Sequence, residues 1–108
     1  MNIKYNLHDS LIESFRFDPF SKTAFLEIDL CNWMQDGYEE NEPESKTITI
    51  VFYDVSYINP INSEYVFDSN EILCITSIDE NTIKISFKNE SGVGVLVICA
   101  KRVGYQND

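Results

Sequence analysis

Apolar and polar positions alternate most regularly towards the C-terminal end of the chain. Ile83, Ile85 and Phe87 are interleaved with Thr82, Lys84, Ser86 and Lys88. A period of two puts one set of side chains on a buried face and the other in water, which predicts a half-buried β-strand. The apolar run 72–78 joins it across the polar turn Asp79-Glu80-Asn81. On the other side, Asn89-Glu90-Ser91-Gly92 leads into 93–103. These three runs predict an antiparallel meander spanning 70–105. The last run is nearly continuous in apolar residues from Val95 to Ala100, which predicts a strand covered on both faces in mid-sheet.

The same pattern recurs earlier. In 11–18, Phe15 and Phe17 alternate with Ser14, Arg16 and Asp18, while Glu13 falls on the apolar register. A bulge at Glu13, or a strand starting only at Ser14, accounts for that mismatch. Asp18-Pro19-Phe20-Ser21-Lys22 has the residues of a turn. Beyond it, Leu26, Ile28 and Leu30 face in while Glu27 and Asp29 face out, so 11–31 predicts a hairpin. The stretch 46–54 is β-branched and aromatic, a further strand. In 55–67, Asn59-Pro60 breaks the pattern and predicts a short helical turn or an irregular edge segment. The count is about six strands with short connections and no βαβ pattern. The fold class expected is all-β: one domain over 1–108, a small antiparallel β-sandwich or a half-open barrel.

A chain of 108 residues with 44% hydrophobic residues is long enough to build one core. No apolar run approaches a membrane span, and the N-terminal residues lack a signal-peptide core, so the expected location is cytoplasmic. Cys31, Cys74 and Cys99 are widely spaced within apolar patterns and read as buried free thiols. Eighteen acidic residues stand against eight Lys and Arg, a net charge of −10. Such a field disfavours nucleic acid and anionic membranes, and steers in basic partners.

One stretch breaks the composition. After Trp33, the residues 36–45 combine Gly, Pro and many acids with almost no core residue, which predicts an exposed, mobile loop. Its Asp36, Tyr38, Glu39, Glu40, Glu42 and Glu44, with Trp33 as an anchor, are the candidate binding residues. Exposed aromatics beside charges make interface hot spots; the plainer alternative is that Trp33 and Phe67 cap the ends of the core. A cavity between the sheets lined by aromatics would instead make a small-molecule binding module.

Catalytic parts are few. His8 is the one histidine, and His8-Asp9-Ser10 cannot converge as a triad, because neighbours on an extended chain point to opposite faces. Their expected role is structural: Asp9 or Ser10 bonding backbone N–H groups, His8 fixing the N-terminal segment to the sheet. The loop acids lack the spacing of a calcium loop, and Gly92 and Gly94 read as turn residues rather than a phosphate cradle. Neither a metal nor a cofactor is expected, and the chain reads as a non-enzyme.

The opening Leu7-His8-Asp9-Ser10, the hairpin after it, the acidic loop after a Trp and the closing meander together resemble small uncharacterised bacterial all-β families. Some of these are similar to immunity proteins of polymorphic toxin systems. The resemblance implies a cytoplasmic protein that binds and neutralises a cognate toxin, and it implies no catalytic residues.

Overall fold

The computed structural model describes residues 1–59 and 66–107. Among these residues eight strands form one antiparallel sheet. They are β1 (Leu11–Asp18), β2 (Thr23–Cys31), β3 (Ser45–Tyr53), β4 (Tyr57–Asn59), β5 (Asn70–Asp79), β6 (Thr82–Asn89), β7 (Gly92–Cys99) and β8 (Arg102–Gln106). A 3₁₀ turn, Asn32–Met34, follows β2. The spatial order is β4-β7-β6-β5-β1-β2-β3-β8. The expectation of about six strands is therefore corrected to eight. One sheet replaces the two of a sandwich, and among the described residues no ladder joins its ends into a closed ring.

The extra strands come from two corners. The run read as one strand over 93–103 is two, because the chain turns at Ala100-Lys101. The Ala100 N–H donates to the Asn81 carbonyl (2.9 Å), and the Lys101 N–H donates to the Tyr53 carbonyl (3.1 Å). These bonds divert the chain from pairing with β6 to pairing with β3. Opposite this corner, the Ser56 N–H donates to the Cys99 carbonyl (2.9 Å), and Tyr57–Asn59 becomes the edge strand β4 rather than a helical turn. The remainder of that ambiguous segment, 60–65, lies outside the described residues. Strands that change partners through a bend are how a sheet turns back over its own core.

The seam at the middle of the sheet is narrow: Leu11 and Ile12 pair with Glu71 and Asn70. About it, both halves turn their inner faces to one core. Leu26, Ile28, Leu30, Ile48, Ile50 and Phe52 from one half join Ile83, Ile85, Phe87, Leu96 and Ile98 from the other in a single buried cluster. A flat sheet would leave one of these faces wet. Burying each such aliphatic chain is worth roughly 1.5–3 kcal/mol, which drives the fold about the seam. Bulges re-aim the strands there. Register shifts fall there between Ile12 and Ser14 and between Ile72 and Cys74, and a third, between Ser77 and Asp79, lies at the far end of β5. The first places Glu13 off the ladder, as its polar character on an apolar register predicts.

Three further expectations are corrected, two about exposure and one about a turn. Strand β7 lies inside the sheet, but only Leu96 and Ile98 are buried on it; Val93 is 63% exposed and Val95 faces out as well. An apolar run therefore did not mean two covered faces. Among the cysteines, Cys74 is exposed and Cys31 and Cys99 are half-buried. Gly94 is not a turn residue. It pairs with Phe87 inside the meander, and a Cβ there would lie 2.5 Å from the Phe87 ring. The missing side chain is the space in which that ring sits.

Candidate acidic aromatic site

The end of β2 builds the site. The hydroxyl of Ser10, itself buried, accepts the Cys31 N–H at 2.9 Å. That bond fixes the strand end against the turn that precedes β1. The chain then enters the 3₁₀ turn directly, so Trp33 lies just beyond the sheet. Asn32 is buried, and its side-chain amide donates to the Pro43 carbonyl (2.8 Å) and to the Glu42 carboxylate (3.4 Å). The backbone N–H groups of Asn32 and Trp33 both donate to the Glu44 carbonyl, at 2.9 and 3.2 Å. The returning arm of the 36–45 loop is thus clamped beside Trp33.

This loop is exposed throughout apart from a half-buried Tyr38, as its charge predicts. It is nevertheless organised by hydrogen bonds. The Tyr38 hydroxyl donates to the Glu42 carbonyl (3.2 Å), and the Glu42 N–H to the Glu39 carbonyl (2.9 Å). Gln35, at its root, donates to the Cys31 and Asn6 carbonyls at 2.9 and 2.7 Å.

Trp33 is 56% exposed, so it does not cap the core. Two adjoining clefts share it. One is lined by Trp33, Tyr38, Glu40 and Glu44. The other is lined by Trp33, Asp9, Asp29, Cys31, Glu44 and neighbouring residues of β1 to β3. The candidates Trp33, Tyr38, Glu40 and Glu44 are therefore brought together. Asp36 and Glu39 are exposed but line neither cleft, and Glu42 is turned towards Asn32.

Two acids that the sequence did not single out complete the ring. Asp29 was legible as an outward residue of β2, but its closeness to Trp33 depends on the strand ending at Cys31. Asp9 was read as a turn residue, and it does adopt φ 67° there. The same turn swings its carboxylate to the cleft. The Cys31 thiol registers the field: burial pushes its pKa up first, and the negative charges of Asp9, Asp29 and Glu44 push it further.

His8 is exposed, with its Nδ1 3.1 Å from the Asp9 carboxylate. Leu7, buried in the core, does the anchoring that was expected of His8. Phe67 packs partly buried against the core, edge-on to Phe87 with ring centroids 5.1 Å apart. Among the described residues, the aromatics of the buried core are Phe52 and Phe87; Tyr57 is exposed and Tyr65 lies outside the described residues. Tyr53 and Tyr57 are thus not part of the buried core. Among the described residues, no three His, Cys, Asp or Glu side chains are grouped as a metal ion needs. Nor, among the described residues, is any helix long and apolar enough to cross a membrane. In comparison with known proteins, no family model matches the chain, and no curated protein or solved structure matches it.

Proposed function

We propose that the protein is a non-enzymatic binding protein of the immunity type, and that its acidic face around Trp33 docks on a basic protein, a toxin of the nuclease kind. The observation that carries this reading is an indole more than half exposed beside the carboxylates of Asp9, Asp29, Glu40 and Glu44. A large apolar ring left in water is a cost that binding removes. Ringed by carboxylates, it suits a guanidinium or ammonium group, which gains both the ring face and the charge. Nuclease sites are electropositive because they hold phosphate, so a carboxylate surface fits the same field.

The test is association kinetics against basic toxin domains, beginning with the product of the neighbouring gene. Trp33→Ala is expected to raise the off-rate with little change in on-rate, as for a central anchor. Glu39, Glu40, Glu42 and Glu44 changed together to Gln are expected to slow association more than they speed dissociation. Binding that ignores both changes would remove the Trp33 face from the interface.

A further inference from the structure

The half-sheet that carries the acidic site has an opposite end. On β2, Phe25, Glu27, Asp29 and Cys31 point away from the core, while Leu26, Ile28 and Leu30 alternate with them and are buried. Register carries this outer face across the strands. One row runs Arg16, Phe25, Val51 and Gly104, and Tyr53 pairs with Arg102 beside it. Asp29 and Cys31, which line the Trp33 cleft, lie on the same face. At the usual strand rise, Asp29 stands roughly 13 Å from Phe25 along β2. One face thus holds the acidic site at one end and the arginine row at the other.

Arg16 and Arg102 are the chain's two arginines, and each lies on a ring of the neighbouring strand. The Arg16 Cζ is 4.1 Å from the Phe25 ring centroid, and the Arg102 Cζ is 4.6 Å from that of Tyr53. Val51 faces outward beside both rings yet is buried, so these side chains form a packed layer. Lys22 and Lys101 are exposed at the same end, their backbones bonded to Val55 and Tyr53. Half of the eight Lys and Arg of a chain with net charge −10 therefore gather here. Two carboxylates share the end. Asp18 accepts the Phe20 N–H and the Ser21 hydroxyl, at 3.0 and 2.9 Å. Asp54 stands 4.0 Å from the Arg102 Nε, too far for a hydrogen bond. Stacking occupies one face of a guanidinium and leaves its other face and its N–H edge for a partner.

We propose that this outer face is its own complement and pairs two copies of the chain about a two-fold axis that crosses the strands, so that Arg16 and Arg102 of each copy meet Trp33 and its carboxylates on the other. The occupant is set by charge and by ring chemistry. The Trp33 end takes a guanidinium, and the arginine end takes a carboxylate beside an aromatic ring. Each end is what the other takes, and a half-turn satisfies both at once, which closes the assembly as a dimer. The indole adds a second ring to a guanidinium that already has one, and Asp29 or Glu44 meets its N–H edge. Two terms keep the pair weak. The net charge opposes encounter, and Glu27, exposed between the two ends, comes near its own copy at the axis. The inference rests on the Trp33 face being a guanidinium site, not on the identity of the basic partner, which would compete with the second copy for that face.

The test is sedimentation equilibrium of the full chain at about 0.15 M salt, where repulsion is screened beyond about 8 Å. The mass is expected to rise towards that of a dimer as the concentration approaches about 1 mM, the range of weak contacts. Trp33 is the one tryptophan, so its emission should shift over the same range. Arg16→Glu with Arg102→Glu is expected to stay monomeric, and so is Asp29→Lys with Glu44→Lys, each keeping the circular dichroism of wild type. Mixed together, the two variants are expected to pair again, because the exchanged charges match across the axis. Glu27→Gln is expected to tighten pairing by removing like charges at the axis. A wild type that stays monomeric, pairing that survives the arginine changes, masses beyond a dimer, or a mixture that does not pair would overturn the proposal. A hexa-arginine peptide added to the Arg16→Glu, Arg102→Glu chain separates the two readings. A shift of Trp33 emission there keeps the guanidinium site even where wild type does not pair, and no shift removes both.

Discussion

Single residues carry the sharpest tests. The Cys31 thiol is held above its ordinary pKa by burial and by three carboxylates, so its thiolate is scarce at neutral pH. Labelling by a maleimide reagent is expected to be slower at Cys31 than at exposed Cys74. Changing Asp9, Asp29 and Glu44 to their amides should speed labelling at Cys31 and leave Cys74 unchanged. Two turn carboxylates shift the other way. Asp18 is lowered from 3.8, first by the Ser21 hydroxyl and then by the Phe20 N–H. Asp79 is lowered chiefly by the Asn81 N–H. The folded state therefore favours their ionised forms. The stability they contribute is complete above the unfolded value and is lost as pH falls through the lowered folded value. Acid unfolding followed by circular dichroism should show a shallower loss in Asp18→Asn than in wild type. Of the acidic ring, Glu40 and Glu44 were legible because they crowd one loop. Asp9 was not, since only the folded turn, with its positive φ, brings it into the cleft that Trp33 also lines.

At the scale of elements, the hairpins were written in local alternation, and the corners were not. Leu26, Ile28 and Leu30 announce β2 wherever it lies. Nothing local in Val97-Ile98-Cys99-Ala100-Lys101 announces a bend, because the bend is imposed by the Asn81 and Tyr53 carbonyls from distant parts of the chain. The alternation Met1, Ile3, Tyr5, Leu7 is equally regular, yet these residues lie outside the eight strands, so pattern alone does not mark a strand. Gly94 tests the meander. Gly94→Ala drives a methyl group into the Phe87 ring and is expected to cost roughly 1–3 kcal/mol, the usual range for overpacking. Thermal melting measures it, and Phe87→Leu in the same chain should recover part of the loss. In the acidic loop, replacing 36–41 by a short Gly-Ser turn should leave the melting temperature nearly unchanged, since closure entropy varies slowly with length. Extending the replacement through Pro43 and Glu44 removes the acceptors of Asn32 and Trp33 and should lower it clearly.

For the whole molecule, the net charge of −10 governs encounter before any contact forms. If the acidic face meets a basic partner, the on-rate should fall steeply between about 0.05 M and 0.5 M salt, as the screening length drops below the span of the charged face. The off-rate should change less. Stopped-flow mixing at the two salt concentrations measures both, and an on-rate indifferent to salt would remove steering from the mechanism. The corner at Ala100-Lys101 has a consequence of another kind, for the order in which the chain can assemble. Its last strand, Arg102–Gln106, is the one that covers the outer edge of β3. During synthesis the β1–β2–β3 unit emerges early, with the β-rich edge of 47–53 bare, and that edge stays bare until Arg102–Gln106 leave the ribosome. Pairings this distant in sequence close slowly, and an open edge invites another chain. A nascent chain stalled before Arg102 should therefore be the form most prone to aggregate and most in need of a chaperone.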